Sequence, residues 1–324
     1  MTLNIISTQN GTHNEGMRNI ATHITSCIAA DGANRIRLSP LSSPLVCLKN
    51  SIGADAAVIF ARGTDKTAVL AKYVRMICRN VYFVLVQPPE KRFAEVLGDT
   101  VRRIRYFAIT PADGHEIAAL GGEVYPLSVG IDTDKFSPPA DHSEILRLRE
   151  KYSVSSELPL VIHVGHISSG RGLEAFLRLP ADRFERLIVA SGMFPSEDVR
   201  SSLEAGGVMI LTGYLEHIEE VYRMADVYLF PTVDQNFVIS VPLSVMESLS
   251  CGTPAVCFRG IEGLSSIGSA AGSLTVFDGS ADLEFAVNLA ASAKSYASHL
   301  TSPASWEACA DEMLGVIAKE VRKR

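Results

Sequence analysis

The sequence is short of the features that mark several common classes of protein. Its six cysteines form no CxxC pair and no Cys/His cluster at metal-ligand spacing, which argues against a zinc site and against a disulfide framework. No run approaches the ~18 apolar residues that a membrane-spanning helix requires. The formal net charge of −6 gives no general basis for binding nucleic acid through its phosphates.

What is present is the composition of a globular protein with a sizeable core, since 47% of the residues are hydrophobic and 20% are charged. A length of 324 residues predicts about two domains. Met1–Ile6 has neither the basic nor the long apolar segment of a signal peptide, so we interpret it as a first strand. We therefore expect a cytoplasmic protein with reduced thiols and no nucleic-acid partner.

Short apolar runs alternate with longer helix-like stretches, a pattern typical of α/β domains built on parallel sheets. In the first half the runs are Leu3–Ser7, Ala56–Ala61, Val81–Val86, Tyr106–Ile109 and Val124–Leu127. In the second half they are Leu160–Val164, Arg186–Ala190, Val208–Leu211, Val227–Phe230, Ala255–Phe258 and Leu274–Val276. Each half is expected to form a doubly wound, Rossmann-like domain.

Adjacent prolines in Lys135–Asp141 disfavour both helix and strand pairing, so this segment is predicted to link the two halves. We expect an N-terminal domain over 1–140, a C-terminal domain over 141–300 and a final helix over 301–324. The ligand of such a sheet lies beyond the carboxyl ends of its strands.

The segment Val161–Phe176 has the pattern of a phosphate site. A buried strand ends at Gly165, a small polar loop follows, and a helix is expected near Arg171. Glycine lets backbone approach a ligand, while helix N-terminal amides and an arginine both favour phosphate. An ordinary glycine-containing turn with a surface arginine is equally consistent with this segment taken alone.

A second segment predicts a helix over 242–251, because Pro242 marks its start and Gly252 lies just past its end. Glu247 lies in this largely apolar helix, where an unpaired carboxylate would be costly to bury. Ribose hydroxyls could be its partner. A solvent-facing glutamate or a core salt bridge would also explain it.

Four signatures follow one another in the chain: Gly130–Pro138; Val164–His166 with Arg171 and Gly172; Thr212–Leu215 with Ala225–Thr232; and Glu247 with Cys251–Pro254. In this order they resemble the "GVDTxxFxP", "VGR…KG", "xGxV" with "ADVxxxPS", and "EAMACGTPVV" motifs of the family four retaining glycosyltransferases, the glycogen-synthase-like and mannosyltransferase group. The resemblance runs from Gly121 to Pro254. It implies the GT-B architecture, two facing Rossmann-like domains with a cleft between them. It also implies that the final helix, near Ser305-Trp306, crosses back to the N-terminal domain, as a similar "SW" marks in relatives.

The resemblance also implies roles for individual residues. Arg171 would stabilise the diphosphate leaving group of a UDP- or GDP-sugar, and Glu247 would orient its ribose; these two are the expected catalytic residues. The expected donor-binding set is Gly165, His166, Ser168, Ser169, Gly170, Arg171, Gly213, Tyr214, Leu215, Asp234, Asn236 and Glu247. The nucleotide-sugar is a co-substrate, and no obligatory cofactor or metal is expected.

Several positions depart from the family pattern. His166 stands where the family usually has arginine, and Ile239 stands where it has a first glutamate. Gln87 replaces a histidine found in many relatives and cannot act as a general base. A nucleotide-sugar or glycan binding protein that has lost catalysis is therefore the alternative. A non-hydrolysing sugar-nucleotide epimerase of the same architecture is disfavoured by the linker and "CGTP" signatures.

The acceptor is expected to contact Gly16 and Arg18, at the end of the loop Thr8–Arg18, together with Gln87. The acceptor could be a glycan, a lipid-linked molecule or a small molecule. Asp132-Thr133-Asp134 resembles the metal-binding Asp-x-Asp of the GT-A fold, but Phe136 and two prolines follow at once, which favours the linker interpretation.

The predicted helix 69–79 carries Lys72, Arg75 and Arg79 on one face, opposite an apolar face of Leu70, Tyr73, Val74 and Ile77. A solvated basic face explains this pattern. It would also suit peripheral contact of the N-terminal domain with the cytoplasmic face of a membrane.

Overall fold

A computed structural model describes residues 1–8, 16–190, 196–280 and 282–322. It divides into two compact units. Unit 1 comprises Met1–Gly130, Ile239–Val241 and Ala304–Arg324, and unit 2 comprises Ile131–Val238 and Pro242–Pro303. The expected linker segment Lys135–Asp141 thus lies inside unit 2, which begins ten residues earlier than the domain expected from residue 141 onward.

Unit 1 contains one parallel sheet of six strands: β1 (Thr2–Ser7), β2 (Arg35–Pro40), β3 (Ala56–Phe60), β4 (Val81–Leu85), β5 (Arg105–Ala108) and β6 (Glu123–Pro126). Their order is β2-β1-β3-β4-β5-β6, so the winding reverses between β1 and β3. β1 aligns Leu3 with Ile36 of β2 and with Ala56 of β3. The central strands β3 and β4 are buried at every position, as strands covered by helices on both faces must be.

Unit 2 repeats the design with β7 (Leu160–Gly165), β8 (Glu185–Ala190), β9 (Met209–Thr212), β10 (Val227–Phe230), β11 (Ala255–Phe258) and β12 (Leu274–Phe277). All neighbours are parallel, in the order β12-β11-β10-β7-β8-β9. The winding reverses between β7 and β10, the position at which ligands of open α/β sheets bind.

The α-helices are α1 (Gly16–Ala30), α2 (Pro44–Ser51), α3 (Asp65–Ile77), α4 (Arg92–Leu97), α5 (Pro111–Ala119), α6 (His142–Lys151), α7 (Glu197–Ala205), α8 (Ile218–Met224), α9 (Leu243–Ser250), α10 (Leu283–Ala291) and α11 (Trp306–Arg322). Short 3₁₀ helices span Gly98–Arg103, Leu173–Arg178, Gln235–Phe237 and Glu262–Ser266. No helix in the described ranges is both long enough and apolar enough to cross a bilayer.

The strand β2 was not predicted from the sequence, because Arg35 and Arg37 interrupt its apolar pattern. This strand lies at the edge of the sheet and is only partly buried. The expected apolar face of α3 also needs correction. Leu70 and Val74 are buried, but Tyr73 and Ile77 are exposed. The apolar stripe of this helix is therefore wider than the strip that the core covers.

The last helix, α11, belongs to unit 1 and packs along α1. Trp306 stacks on His23 of α1 with ring centroids 4.7 Å apart, and Glu320 forms an ion pair with Arg105 of β5 at 2.6 Å. Gly130 packs closely against Trp306, since a methyl group added at Gly130 would lie 2.8 Å from the indole ring.

Asp132 behaves as a turn residue. Its Oδ1 accepts hydrogen bonds from the backbone amides of Asp134 and Lys135, at 3.2 and 3.0 Å. An aspartate that caps its own turn in this way needs no bound ion to explain it. In the described part of the chain no three His, Cys, Asp or Glu side chains are grouped so that they could hold a metal ion.

The end of α9 depends on a glycine. Gly252 has φ +70°, and an added methyl group would lie 2.2 Å from the carbonyl oxygen of Ser295. Gly252 is therefore required both for its left-handed conformation and for the close approach of two backbone segments. This geometry confirms the helix end expected from the sequence.

Gly252→Ala should cost about 3–5 kcal/mol of the free energy of unfolding, because left-handed strain and a backbone clash add. Gly272→Ala is the matched control: its φ is +80° but no atom lies within 4 Å of an added methyl group. It should cost only about 1–2 kcal/mol. Urea unfolding of both variants measures the difference, and equal losses would contradict a role for the contact with Ser295.

Candidate functional site

The strands β7 and β10 end side by side at the point where the winding of unit 2 reverses. The turn that follows β7 is held to the residues that follow β10. Within the turn the amide of Arg171 donates to the carbonyl of Ser168 at 3.1 Å. The hydroxyl of Thr232 donates to the carbonyl of Arg171 at 3.3 Å. Arg171 therefore has a defined backbone position at this sheet edge.

The guanidinium of Arg171 reaches back over the end of β7. A methyl group added at Gly165 would lie 3.0 Å from Nη1 of Arg171, so a side chain there would force the guanidinium to shift by a few tenths of an ångström. Nη2 donates a hydrogen bond of 2.7 Å to the backbone carbonyl of Phe237. Burial lowers the pKa of Arg171, yet a guanidinium stays protonated in proteins. A fixed positive charge thus stands at the carboxyl edge of the sheet.

His163, in the middle of β7, is the buried neighbour of this cation. Its Nδ1 lies 3.0 Å from the carbonyl oxygen of Leu229, which can only accept, so Nδ1 carries the proton. Burial, together with the charge of Arg171, lowers the pKa of His163 to about 3, so the ring is neutral near pH 7. Nε2 is then an acceptor, and it makes no hydrogen bond to any residue that the structure describes.

Phe237 covers the turn expected to cradle a diphosphate. A methyl group added at Gly170 would lie 2.1 Å from ring atoms of Phe237, so the ring rests directly on this glycine. The prediction of a helix that begins near Arg171 is wrong, because the segment forms only the 3₁₀ helix Leu173–Arg178. Because such a short helix has little dipole, turn amides and the guanidinium are the anion-attracting groups here.

Glu247 of α9 is partly buried, as its apolar surroundings predicted, and it has a protein partner. Its Oε2 accepts a hydrogen bond of 2.7 Å from the hydroxyl of Tyr222. Oε1 makes no hydrogen bond to another described residue. Burial raises the pKa of Glu247 to about 7, opposed by the Tyr222 hydrogen bond. Protonated Glu247 therefore favours the folded state below its ordinary pKa of 4.5, and this contribution is lost as the pH rises through about 7.

The other expected donor residues follow three strands. His166, Ser168 and Ser169 lie in the turn after β7, with only Ser169 fully exposed. Gly213, with φ +118°, and the exposed Tyr214 come directly after β9, with Leu215 next. These turns leave the same edge of one parallel sheet.

Asp234 and Asn236 lie in the segment after β10 and bind each other. The amide and the side chain of Asn236 both donate to Oδ1 of Asp234, at 2.9 and 2.8 Å, which caps the 3₁₀ helix Gln235–Phe237. Both side chains are exposed.

The expected acceptor residues lie in unit 1. Gly16 is the first residue of α1, and Arg18 is a buried residue of that helix and not of a loop. Gln87 follows β4. Residues 9–15 of the expected acceptor loop lie outside the described residues.

Ile239, at the position of the absent first glutamate, is a buried packing residue of unit 1. A methyl group added at Gly16 would lie 2.8 Å from Cδ1 of Ile239. Its neighbour Ser240 donates from its amide to the carbonyl of Val86, just before Gln87, at 2.8 Å. The segment Ile239–Val241 thus stands against the two places from which acceptor contacts were expected, and an apolar side chain suits it because it is buried.

The sequence did not single out His163 or Phe237. His163 sits among apolar residues two positions before Gly165, where a strand in a parallel sheet rarely needs a polar side chain; that mismatch was the available signal. No local sequence pattern indicated a role for Phe237, because its contact with Gly170 joins residues 67 positions apart.

Comparison with known proteins agrees with this geometry. Residues 159–289, which include Arg171 and Glu247, match the family model described as "Glycosyl transferases group 1". A sulfoquinovosyl transferase, SQD2 of Arabidopsis thaliana, is 30% identical over 132 residues, which is 40% of this chain and 25% of the relative. An alpha-galactosylglucosyldiacylglycerol synthase of Streptococcus pneumoniae is 24% identical over 126 residues, 36% of this chain and 33% of the relative. The chain thus spans a third or less of these two proteins.

Similarity of structure extends over the whole chain. The crystal structure of Anabaena HepE in complex with UDP-glucose superposes with a TM-score of 0.71 at 14% identity, covering 100% of this chain and 98% of that one. The two parallel sheets with their flanking helices, together with this likeness, show an α/β, two-domain fold of the GT-B kind, as the sequence predicted.

Proposed function

We propose that this protein is a glycosyltransferase that moves a hexosyl group from a UDP- or GDP-sugar to an acceptor hydroxyl with retention of anomeric configuration. The observation that carries the proposal is the guanidinium of Arg171, held over Gly165 at the point where the sheet of unit 2 reverses its winding. The match of residues 159–289 to a glycosyltransferase domain and the UDP-glucose bound by the structural neighbour HepE support the choice of donor.

Arg171 takes the leaving diphosphate. Its Nη2 donates to the carbonyl of Phe237, which carries only a partial negative charge, whereas a phosphate carries a full charge and can accept two parallel N–H bonds from the guanidinium. Donor binding would therefore exchange the carbonyl for the diphosphate, and the ring of Phe237 would leave Gly170 so that the amides of Ser169 and Gly170 can add to the charge stabilisation.

Glu247 orients the nucleoside. With Oε2 held by Tyr222, Oε1 is the oxygen available to accept from a ribose hydroxyl. Gly213, Tyr214 and Leu215 line the base, and Asp234 and Asn236 contact the sugar after giving up their bond to each other. No obligatory metal is invoked, because the guanidinium supplies the positive charge.

The acceptor contacts Gly16, Arg18 and Gln87. A glycan, a small molecule or a lipid-linked molecule would suit; the name of the streptococcal relative, a diacylglycerol glycoside synthase, favours the lipid-linked class. The second candidate function is donor or glycan binding without transfer. It is favoured by Ile239, which is buried against Gly16 where the family has a carboxylate.

A thermal-shift panel of UDP, GDP, ADP and their sugars tests the donor. A true donor at 100 times its dissociation constant should add about 2.7 kcal/mol of stability. Transfer or slow hydrolysis of that donor then separates an enzyme from a binding protein, and the anomeric proton coupling of the product reports retention. Binding without turnover across many acceptors would support the binding protein, and the absence of any nucleotide binding would refute both candidates.

Arg171→Ala should lower turnover about 10²–10³-fold, because it removes one preorganised charge from the leaving group. Arg178→Ala is the matched control, an exposed arginine seven residues further along that lies over the ring of Phe277. It should leave turnover unchanged. Equal rates for the two variants would exclude Arg171 from the mechanism.

The affinity for UDP-glucose should rise with pH and level off above about 7, since a ribose hydroxyl donates better to ionised Glu247. UDP-glucose is the suitable probe because its diphosphate has no ionisation in this range. Glu247→Gln should abolish the dependence. Tyr222→Phe should move the midpoint upward, because it removes the hydrogen bond that lowers the pKa of Glu247. Isothermal titration calorimetry measures all three, and an unchanged profile in Glu247→Gln would contradict this role.

A further inference from the structure

Unit 1 exposes an unusual concentration of large apolar side chains. Eight of them lie between residues 38 and 77: Leu38, Leu45, Val46, Ile52, Val69, Tyr73, Met76 and Ile77. Leu45 is 81% exposed and Met76 is 80% exposed, values near those of a free side chain. Single exposed apolar residues are common on protein surfaces, but a contiguous group of them marks an interaction site.

The two helices that carry most of these residues pack side by side. On α2 and just beyond it, Leu45, Lys49 and Ile52 are spaced as one helical stripe. On α3 the corresponding stripe is Lys66, Val69, Tyr73 and Met76. Lys72 and Arg79 flank the second stripe. We call these residues the α2–α3 face.

Basic residues outnumber acidic ones in this part of the chain, and several belong to the α2–α3 face. Residues 35–105 contain 13 Lys and Arg but 5 Asp and Glu, in a chain whose net charge is −6. Arg37 binds the carbonyls of Asn50 and Ile52 at 2.9 and 2.7 Å, which fixes a cation beside the α2 stripe. Within the described ranges, Lys49, Lys66, Lys72 and Arg79 form no ion pair.

We propose that the α2–α3 face docks on a membrane that contains anionic lipid. Exposed Leu, Met and Tyr side chains enter the interfacial region while the surrounding Lys and Arg attract the headgroups. A second copy of the chain fits less well, because a symmetric dimer through this face would bring two like-charged surfaces together. The proposal depends on surface charge and exposure, and not on the chemistry proposed for unit 2.

Vesicle flotation tests it. The protein should float with vesicles of phosphatidylcholine mixed with phosphatidylglycerol, float poorly with phosphatidylcholine alone, and be released by salt. Lys49→Gln/Lys72→Gln/Arg79→Gln should weaken binding about fivefold per charge, roughly a hundredfold in total. Leu45→Ser/Met76→Ser should also weaken it.

Phe285→Ser/Leu289→Ser is the matched control, since these side chains are 63% and 60% exposed on α10 of unit 2, which begins with the acidic Asp282 and Glu284. It should bind as the unchanged protein does, and all variants should keep its circular dichroism spectrum. Equal binding to both kinds of vesicle, no binding, or a dimer that Leu45→Ser/Met76→Ser dissolves in light scattering would each overturn the proposal.

A separate observation concerns His163. A methyl group added at Gly165 would lie 2.9 Å from Nε2 of His163 and 3.0 Å from Nη1 of Arg171. Both nitrogens therefore approach the same point beside Gly165. The ring is held by the Leu229 carbonyl and stacks on Tyr228 with centroids 5.8 Å apart. A buried acceptor without a hydrogen bond is costly and is rarely retained without a use.

We infer that His163 is a positioning residue: when Arg171 leaves the carbonyl of Phe237, Nε2 accepts one guanidinium N–H and aims the others at the diphosphate. This inference rests on the proposed function. His163→Phe should raise the dissociation constant of UDP-glucose about tenfold, the value of one hydrogen bond to a charged group. His163→Gln should restore much of the affinity, because its side-chain oxygen can take the place of Nε2.

A double-mutant cycle separates this role from a structural one. In the Arg171→Ala background, His163→Phe should change the affinity for UDP-glucose little, because its effect passes through the guanidinium. Additive losses, or full affinity in His163→Phe alone, would refute the inference while leaving the proposed function intact. If the unchanged protein binds no nucleotide-sugar, both fall.

Discussion

The candidate site depends on one close approach, that of the Arg171 guanidinium to the backbone of Gly165. Glycine at the end of β7 lets the cation lie close over the strand, beside His163 and bonded to the carbonyl of Phe237, whereas a side chain there would have to displace both groups. Because β7 is central in its sheet and the winding reverses beside it, the cation stands at the position where open α/β sheets bind their ligands. The position of this cation therefore depends on backbone geometry, and its attraction for an anion depends on its charge.

Three of the bonds at the candidate site are made within the protein. Arg171 is bonded to the Phe237 carbonyl, Asp234 to Asn236, and Glu247 to Tyr222. Each of these bonds includes at least one residue of the expected donor set, so a donor has to offer better partners than the protein already supplies. For Arg171 the proposed diphosphate would meet that condition, because its oxygens carry full charge and can accept two parallel N–H bonds, whereas a carbonyl carries only a partial charge.

The burial of Ile239 explains why this position carries an apolar residue and not the glutamate of the family pattern. A glutamate there would place a carboxylate against Gly16 in a buried position, whereas isoleucine packs there. The segment Ile239–Val241 therefore serves as part of the core of unit 1.

The sequence alone determined the two parallel sheets, the helix α9 with its glycine end and the segments that carry Arg171 and Glu247. Those features arise from local patterns: apolar runs of strand length, proline and glycine at helix ends, and short motifs. Tertiary structure decided that Phe237 lies on Gly170, that Nε2 of His163 points at Gly165, that Tyr73 is exposed and that Ile239 joins unit 1. Such contacts join residues distant in the chain, and how a side chain packs there depends on the space left by every neighbour, which no local pattern contains.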